Sequence, residues 1–197
     1  MLRIKFSGKT ATFAKRETVS TNVKRHNTMK RKLIFIVSFF CSYFTFGQSY
    51  KFKTIDSTYV FDKAKYHIES VESDKLPDSQ AFVHTAFFIV WCVEKELIND
   101  QFKQQFKNQI EKIKSKQVSP TKLYQDMDGV FIGGILTLEG YNFAMKYFHL
   151  SNGQYLKDYE KLNFLTRKNK SIYGVEDTWL NYEIVRELLD KKYSKWK

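Results

Sequence analysis

The residues of this chain best suited to chemistry are two histidines and two aspartates: Asp62, His67, His84 and Asp177. Imidazole and carboxylate both transfer protons near neutral pH, and both ligate first-row divalent metals. A hydrolase or metal-dependent enzyme built on this set needs His67 and His84 to meet beside Asp62 or Asp177. Their spacing alone does not bring this about. No pair has the short helical interval of a local metal motif, and the two histidines fall on separate expected helices. Rings more than about 8 Å apart, with no shared cleft, would remove the idea. The competing reading of His84 is a buried ring bonded to a carbonyl or carboxylate. His149 is the third histidine after Gln48.

Other patterns carry less. Asp126-Met127-Asp128-Gly129-Val130 resembles the aspartate loop of haloacid-dehalogenase-type phosphatases. That loop needs a hydrophobic strand before it, whereas Lys122-Leu123-Tyr124-Gln125 follows Ser119-Pro120 and reads as a helix. A calcium loop fails because the next acid after Asp128 is Glu139. Cys92 sits in the apolar run Ala86–Val93 and reads as a buried small hydrophobe. No nucleophile elbow, phosphate loop or dinucleotide fingerprint is present.

Aromatic content offers a different function. Twelve tyrosines and eighteen phenylalanines give ample material for both a core and an interface. Tyr155, Tyr159 and Tyr173, in loop-rich sequence, are the candidates for a protein-binding patch, where a few aromatics dominate affinity inside a polar rim. The net charge of +12 suggests nucleic acid only until it is located. Residues 1–47 hold ten Lys/Arg against Glu17 alone, so residues 48–197 are left with only +3. Lys112-x-Lys114-x-Lys116 and Arg167-Lys168-x-Lys170 are short and read as solvated faces. Nucleic acid is not an expected partner.

The basic N-terminal stretch has its own meaning. Met29-Lys30-Arg31-Lys32 precedes fourteen residues, Leu33–Phe46, that are mainly apolar, and Thr45 and Gly47 are small residues before Gln48. This is the charged, apolar and cleavage pattern of a signal peptide, and it implies a periplasmic or secreted product. The apolar stretch is shorter than the roughly 20 residues of a spanning helix, so the membrane enters only if the segment stays uncleaved. Residues 1–28 read as a spurious or disordered basic extension, 29–47 as the signal peptide, 48–58 as an extended arm and 59–197 as the domain.

Within that domain the punctuation is helical. Asp62 is expected to cap a helix over Lys63–Val71, and Gln80–Ile98 is the central buried helix. Asp100 opens Gln101–Lys116, with Phe102, Phe106, Ile110 and Ile113 as its stripe. Ser119-Pro120 starts a short helix, and Val130–Ile132 is an apolar loop between glycines. Leu138–Phe148, Gln154–Leu165 and Glu176–Trp196 complete an all-α, single compact domain of six or seven helices.

Several blocks carry a resemblance: Phe61-Asp62-x-Ala64-Lys65-Tyr66-His67, then His84 with Trp91-Cys92, Glu139-Gly140-x-x-Phe143-Ala144-x-x-Tyr147, and Tyr173-x-Val175-Glu176-Asp177-Thr178-Trp179-x-x-Tyr182. Over residues 59–197 the chain resembles an uncharacterised bacterial domain family. The resemblance implies an accessory or immunity-like role, and a signal peptide departs from members that look cytosolic. The residues therefore favour an exported, non-catalytic protein-binding domain over an enzyme, with no cofactor and another protein as partner. The alternatives are the hydrolase or metal-dependent enzyme on Asp62, His67, His84 and Asp177, and a membrane-anchored structural protein.

Overall fold

The computed structural model describes residues 51–149, 151–166 and 171–197. The signal segment Met29–Gln48, the extension before it and most of the basic turn at 166–171 lie outside the described residues. The fold is all-α around a minimal two-stranded sheet. In chain order it contains β1 (Val60–Lys63), α1 (Ile68–Ser73), α2 (Val83–Glu94), α3 (Asp100–Gln105) and α4 (Lys107–Lys114). There follow α5 (Lys122–Asp126), β2 (Val130–Ile132), α6 (Leu138–Tyr147), α7 (Tyr155–Glu160) and α8 (Trp179–Trp196). No described helix is long and apolar enough to cross a membrane.

α2 is the axis of the core. Every residue from Val83 to Val93 is buried, although Val, Ile and Phe are mediocre helix formers. Tertiary burial, not propensity, holds this segment helical. Phe88 shows how: its ring lies 4.7 Å from Phe148, 5.4 Å from Tyr155 and 5.9 Å from Phe131, centroid to centroid. α8 closes one side. Trp91 donates its indole N–H to Asp190 at 2.8 Å, and Lys95 pairs with the same carboxylate at 2.9 Å.

The segment around Asp62 departs from expectation. Asp62 does not cap a helix; it lies in β1, which pairs antiparallel with β2 in the register Val60↔Ile132, Asp62↔Phe131 and Lys63↔Val130. A bulge falls between Val60 and Asp62. Val130–Ile132 is thus a strand, not a loop. The physical reason is aromatic: Phe61 and Phe131 stack at 4.9 Å, both fully buried. Neither three- nor four-residue strand announces itself in sequence, and each is stable only through the other and the core beneath. The bulge bends β1, and a 3₁₀ turn at Ala64–Tyr66 then leads to His67 and α1.

Two helix expectations also shift. Gln101–Lys116 is broken at Phe106, whose φ of −109° and ψ of 27° leave the helical region. Eight helices therefore stand among the described residues where six or seven were expected. The last helix starts at Trp179 with Thr178 as its cap, not at Glu176; the Thr178 side chain accepts from Asn181 N–H. The arm before β1 forms no strand in its described part. It docks on α6, where the Asn142 side chain bonds both the N–H and the carbonyl of Phe52.

One turn fixes where β1 ends. Gly129 has a φ of +62° and its carbonyl accepts from Ala64 N–H at 2.8 Å. A Cβ there would stand 2.8 Å from both the Ala64 Cβ and the Phe82 ring. Gly129→Ala should therefore lower stability by about 2–3 kcal/mol, combining left-handed strain with overpacking. Urea denaturation checks this, and an unchanged midpoint would mean the turn relaxes freely.

Candidate metal centre

Three of the four residues singled out for chemistry converge. Asp62 comes from β1, His67 from the junction between the 3₁₀ turn and α1, and His84 from the first turn of α2. One ligand atom of each lies within 4.8 Å of the other two. The imidazoles of His67 and His84 meet edge to face with centroids 4.5 Å apart. Asp177, the fourth, is not with them. Its carboxylate accepts from the Thr121 hydroxyl at 2.5 Å and the Thr121 N–H at 3.2 Å. There it pins the segment before α8 to the start of α5.

The carboxylate is the hub. Asp62 is 1% exposed. Its Oδ1 accepts from His67 Nε2 at 2.8 Å and its Oδ2 from the Thr85 hydroxyl at 2.5 Å. The Tyr124 hydroxyl approaches Oδ2 at 3.4 Å, and His84 Nε2 stands 3.7 Å from the same oxygen. Burial pushes the Asp62 carboxyl up, but the His67 hydrogen bond, attraction to the two imidazoles in their protonated forms and the Thr85 bond together hold it below the usual value. The carboxylate also faces the first turn of α2, where the helix dipole favours negative charge.

The two imidazoles differ. His84 is entirely buried, and this desolvation drives its pKa down to about 4, against the pull of Asp62. It is a neutral ring with a lone pair to give. Its Nδ1 is buried with no hydrogen-bond partner among the described residues. Such an atom costs about 1–3 kcal/mol unless something satisfies it. His67 keeps 12% of its side chain exposed and is the cluster's contact with solvent. Its second nitrogen, Nδ1, lies 2.9 Å from the Tyr173 hydroxyl.

These distances suit a divalent ion. Zinc with N and O ligands at about 2.0–2.2 Å sets ligand atoms roughly 3.4 Å apart in a tetrahedron. The observed separations, 2.8 Å to one carboxylate oxygen and 3.7 Å to the other in a set that spans up to 4.8 Å, lie on either side of that value. Two imidazoles and one carboxylate leave a fourth position, the arrangement of catalytic rather than structural zinc. The expectation that the chain favours a non-enzyme is corrected by this cluster. That expectation rested on the absence of a recognised catalytic frame or local metal motif, but the ligands are assembled by tertiary packing of β1 and α2 across 22 residues, from Asp62 to His84.

The tyrosine patch is corrected too. Tyr155 and Tyr159 are 0% and 1% exposed. Both are core residues; the Tyr155 hydroxyl donates to the His84 carbonyl at 2.6 Å. They cannot supply a surface hot spot. Tyr173 is only partly buried, and it faces His67. Sequence reasoning missed Thr85, Tyr124 and Tyr173 as parts of the site. The available signal was His84-Thr85, a polar pair at the head of an otherwise apolar buried run. The remaining candidates fall away. Asp126 ends a helix and Asp128-Gly129 form the turn after it. His149 Nδ1 accepts from the N–H groups of Ser151 and Asn152. Cys92 is buried, and burial pushes its thiol up.

A family model described as Domain of unknown function (DUF7832) matches residues 60–175. The chain belongs to that family. The matched stretch contains Asp62, His67, His84, Thr85, Tyr124 and Tyr173, so the whole cluster lies inside the DUF7832 domain, while Asp177 and α8 follow it. No curated protein and no solved structure matches the chain.

Proposed function

We propose that this domain binds one divalent transition-metal ion, zinc by the chemistry of its ligands, through Asp62, His67 and His84, and uses it for hydrolysis. The observation that carries the reading is the convergence of three donor groups within 4.8 Å, two of them fully buried. The neutral state of His84 supports it, because a ligand nitrogen must be unprotonated. So does the softness of the set. Two imidazoles suit zinc and its neighbours, whereas magnesium and calcium prefer oxygen throughout. A zinc ion with an open position lowers the pKa of its bound water to about 7 and polarises a carbonyl or phosphoryl oxygen. The protein's own contribution is to hold the ligands: Thr85 and Tyr124 orient the carboxylate, and the core of α2 fixes His84.

The test is turnover. Zinc-loaded protein is offered chromogenic carboxyl esters, phosphate esters and peptide amides. The expected result is hydrolysis of one class, abolished by a chelator, restored by zinc and lost in His67→Ala. Turnover that survives complete removal of metal would place the chemistry on the Asp62–His67 pair without an ion. No turnover of any class, in protein shown to hold zinc, would reduce the site to metal binding alone.

A further inference from the structure

A metal-binding histidine uses one ring nitrogen for the ion and generally fixes the other with an outer hydrogen bond. For His67 the two nitrogens have different partners. Nε2 faces Asp62 Oδ1 and thus the cluster, and Nδ1 faces the Tyr173 hydroxyl at 2.9 Å. In the metal-free arrangement Nε2–H donates to the Asp62 carboxylate, which has no proton to offer in return. Nδ1 then carries the lone pair, and the Tyr173 hydroxyl donates to it. For Nε2 to ligate an ion its proton must leave and the ring must hold its hydrogen on Nδ1. That N–H needs an acceptor on the same spot. A phenol oxygen serves both states, because a hydroxyl both donates and accepts.

We infer that Tyr173 is the positioning residue of the metal centre: its hydroxyl turns from donor to acceptor and selects the tautomer of His67 that presents Nε2 to the ion. The inference rests on the metal reading given above. The fold supports it from three sides. Tyr173 stands on a 3₁₀ turn, Ile172–Gly174, capped by the Ser171 side chain, whose oxygen accepts from Tyr173 N–H at 3.1 Å. Gln80, with its amide NH₂ turned toward this segment, donates to the carbonyls of Tyr173 at 3.1 Å and Val175 at 2.9 Å. The backbone is therefore held whether or not the hydroxyl is present. The ring itself packs against both imidazoles, 5.7 Å from His67 and 6.0 Å from His84 between centroids. Ser70, on α1, interacts with the Tyr173 side chain.

The experiment compares wild type, Tyr173→Phe and Tyr173→Gln, each stripped of metal and titrated with cobalt(II) as a visible stand-in for zinc. Phenylalanine keeps the ring and removes the acceptor; glutamine removes the ring and restores an acceptor. Wild type is expected to take one cobalt with ligand-field bands of a tetrahedral N₂O set. Tyr173→Phe should bind about 10–100-fold more weakly, with shifted bands and an unchanged urea midpoint, and Tyr173→Gln should recover most of the loss. Wild-type affinity and bands in Tyr173→Phe would overturn the role of Tyr173 and leave the metal site standing. Cobalt binding absent from wild type as well would overturn both. Equal losses in Phe and Gln variants, with lowered urea midpoints, would make Tyr173 a packing residue and also overturn the inference.

Discussion

Asp62→Ala is expected to cost the fold about 3–5 kcal/mol, the magnitude of removing one partner from a buried polar network. The substitution deletes little apolar surface. What it leaves behind is the expense. The Thr85 hydroxyl, fully buried, loses the carboxylate that accepts from it at 2.5 Å, and His67 Nε2 loses its acceptor at 2.8 Å. Tyr124, also fully buried, loses the carboxylate oxygen that its hydroxyl approaches at 3.4 Å. The Thr85 and Tyr124 hydroxyls are then desolvated without this acceptor. Asp62→Asn separates shape from charge: it keeps the volume and one acceptor oxygen, and should cost clearly less. Chemical denaturation of the metal-free variants measures both. An Asp62→Ala variant as stable as wild type would mean that the network is not part of the folding energy.

Metal-free protein is also expected to lose about 3 kcal/mol of stability between neutral pH and pH 4, through His84 alone. The sign follows from the two states. In the folded chain His84 titrates near 4 because burial penalises its charged form, against 6.5 when exposed. Between those values the unfolded chain binds the proton and the folded chain does not. Stability therefore rises with pH across this window and is lost as pH falls through it. Asp62 adds a second loss further down. Its folded pKa is depressed below 3.8, so its stabilisation is present above that value and disappears as pH falls through the folded one. His84→Gln cannot titrate and should flatten the profile between pH 6.5 and 4. Urea midpoints across this range decide it. Parallel profiles for wild type and His84→Gln would show that the ring reaches solvent in the folded state.

How much of this was legible in the sequence depends on range. α2 was legible because an apolar run as long as Ala86–Val93, flanked by Pro77 and Asn99-Asp100, has only one economical fate, a covered helix. The start of α6 follows the local rule for hydroxyl caps, the Thr137 side chain accepting from Gly140 N–H. The strands were not legible. Val60–Lys63 and Val130–Ile132 are too short for a period of two to register, and they exist because Phe61 finds Phe131 across the chain. That same misreading hid the site. With Asp62 taken as a helix cap, its side chain would have faced the amides of the following turn. As a strand residue it is turned into the core, toward Thr85 and His84. The tyrosines misled for a related reason. Composition tells how many rings a chain has, and only packing tells that Tyr155 and Tyr159 lie beneath α2 while Tyr173 stands over His67.

The most direct test of the metal centre is the metal content of the purified chain. Wild type, His67→Ala and His84→Gln are dialysed against zinc, then against metal-free buffer, and zinc is counted per chain by elemental analysis. The site predicts one zinc per wild-type chain and less than about a tenth of that in either variant, with all three folded by circular dichroism. A wild-type chain that retains no zinc, or variants that retain it as well as wild type does, would contradict a centre built from Asp62, His67 and His84.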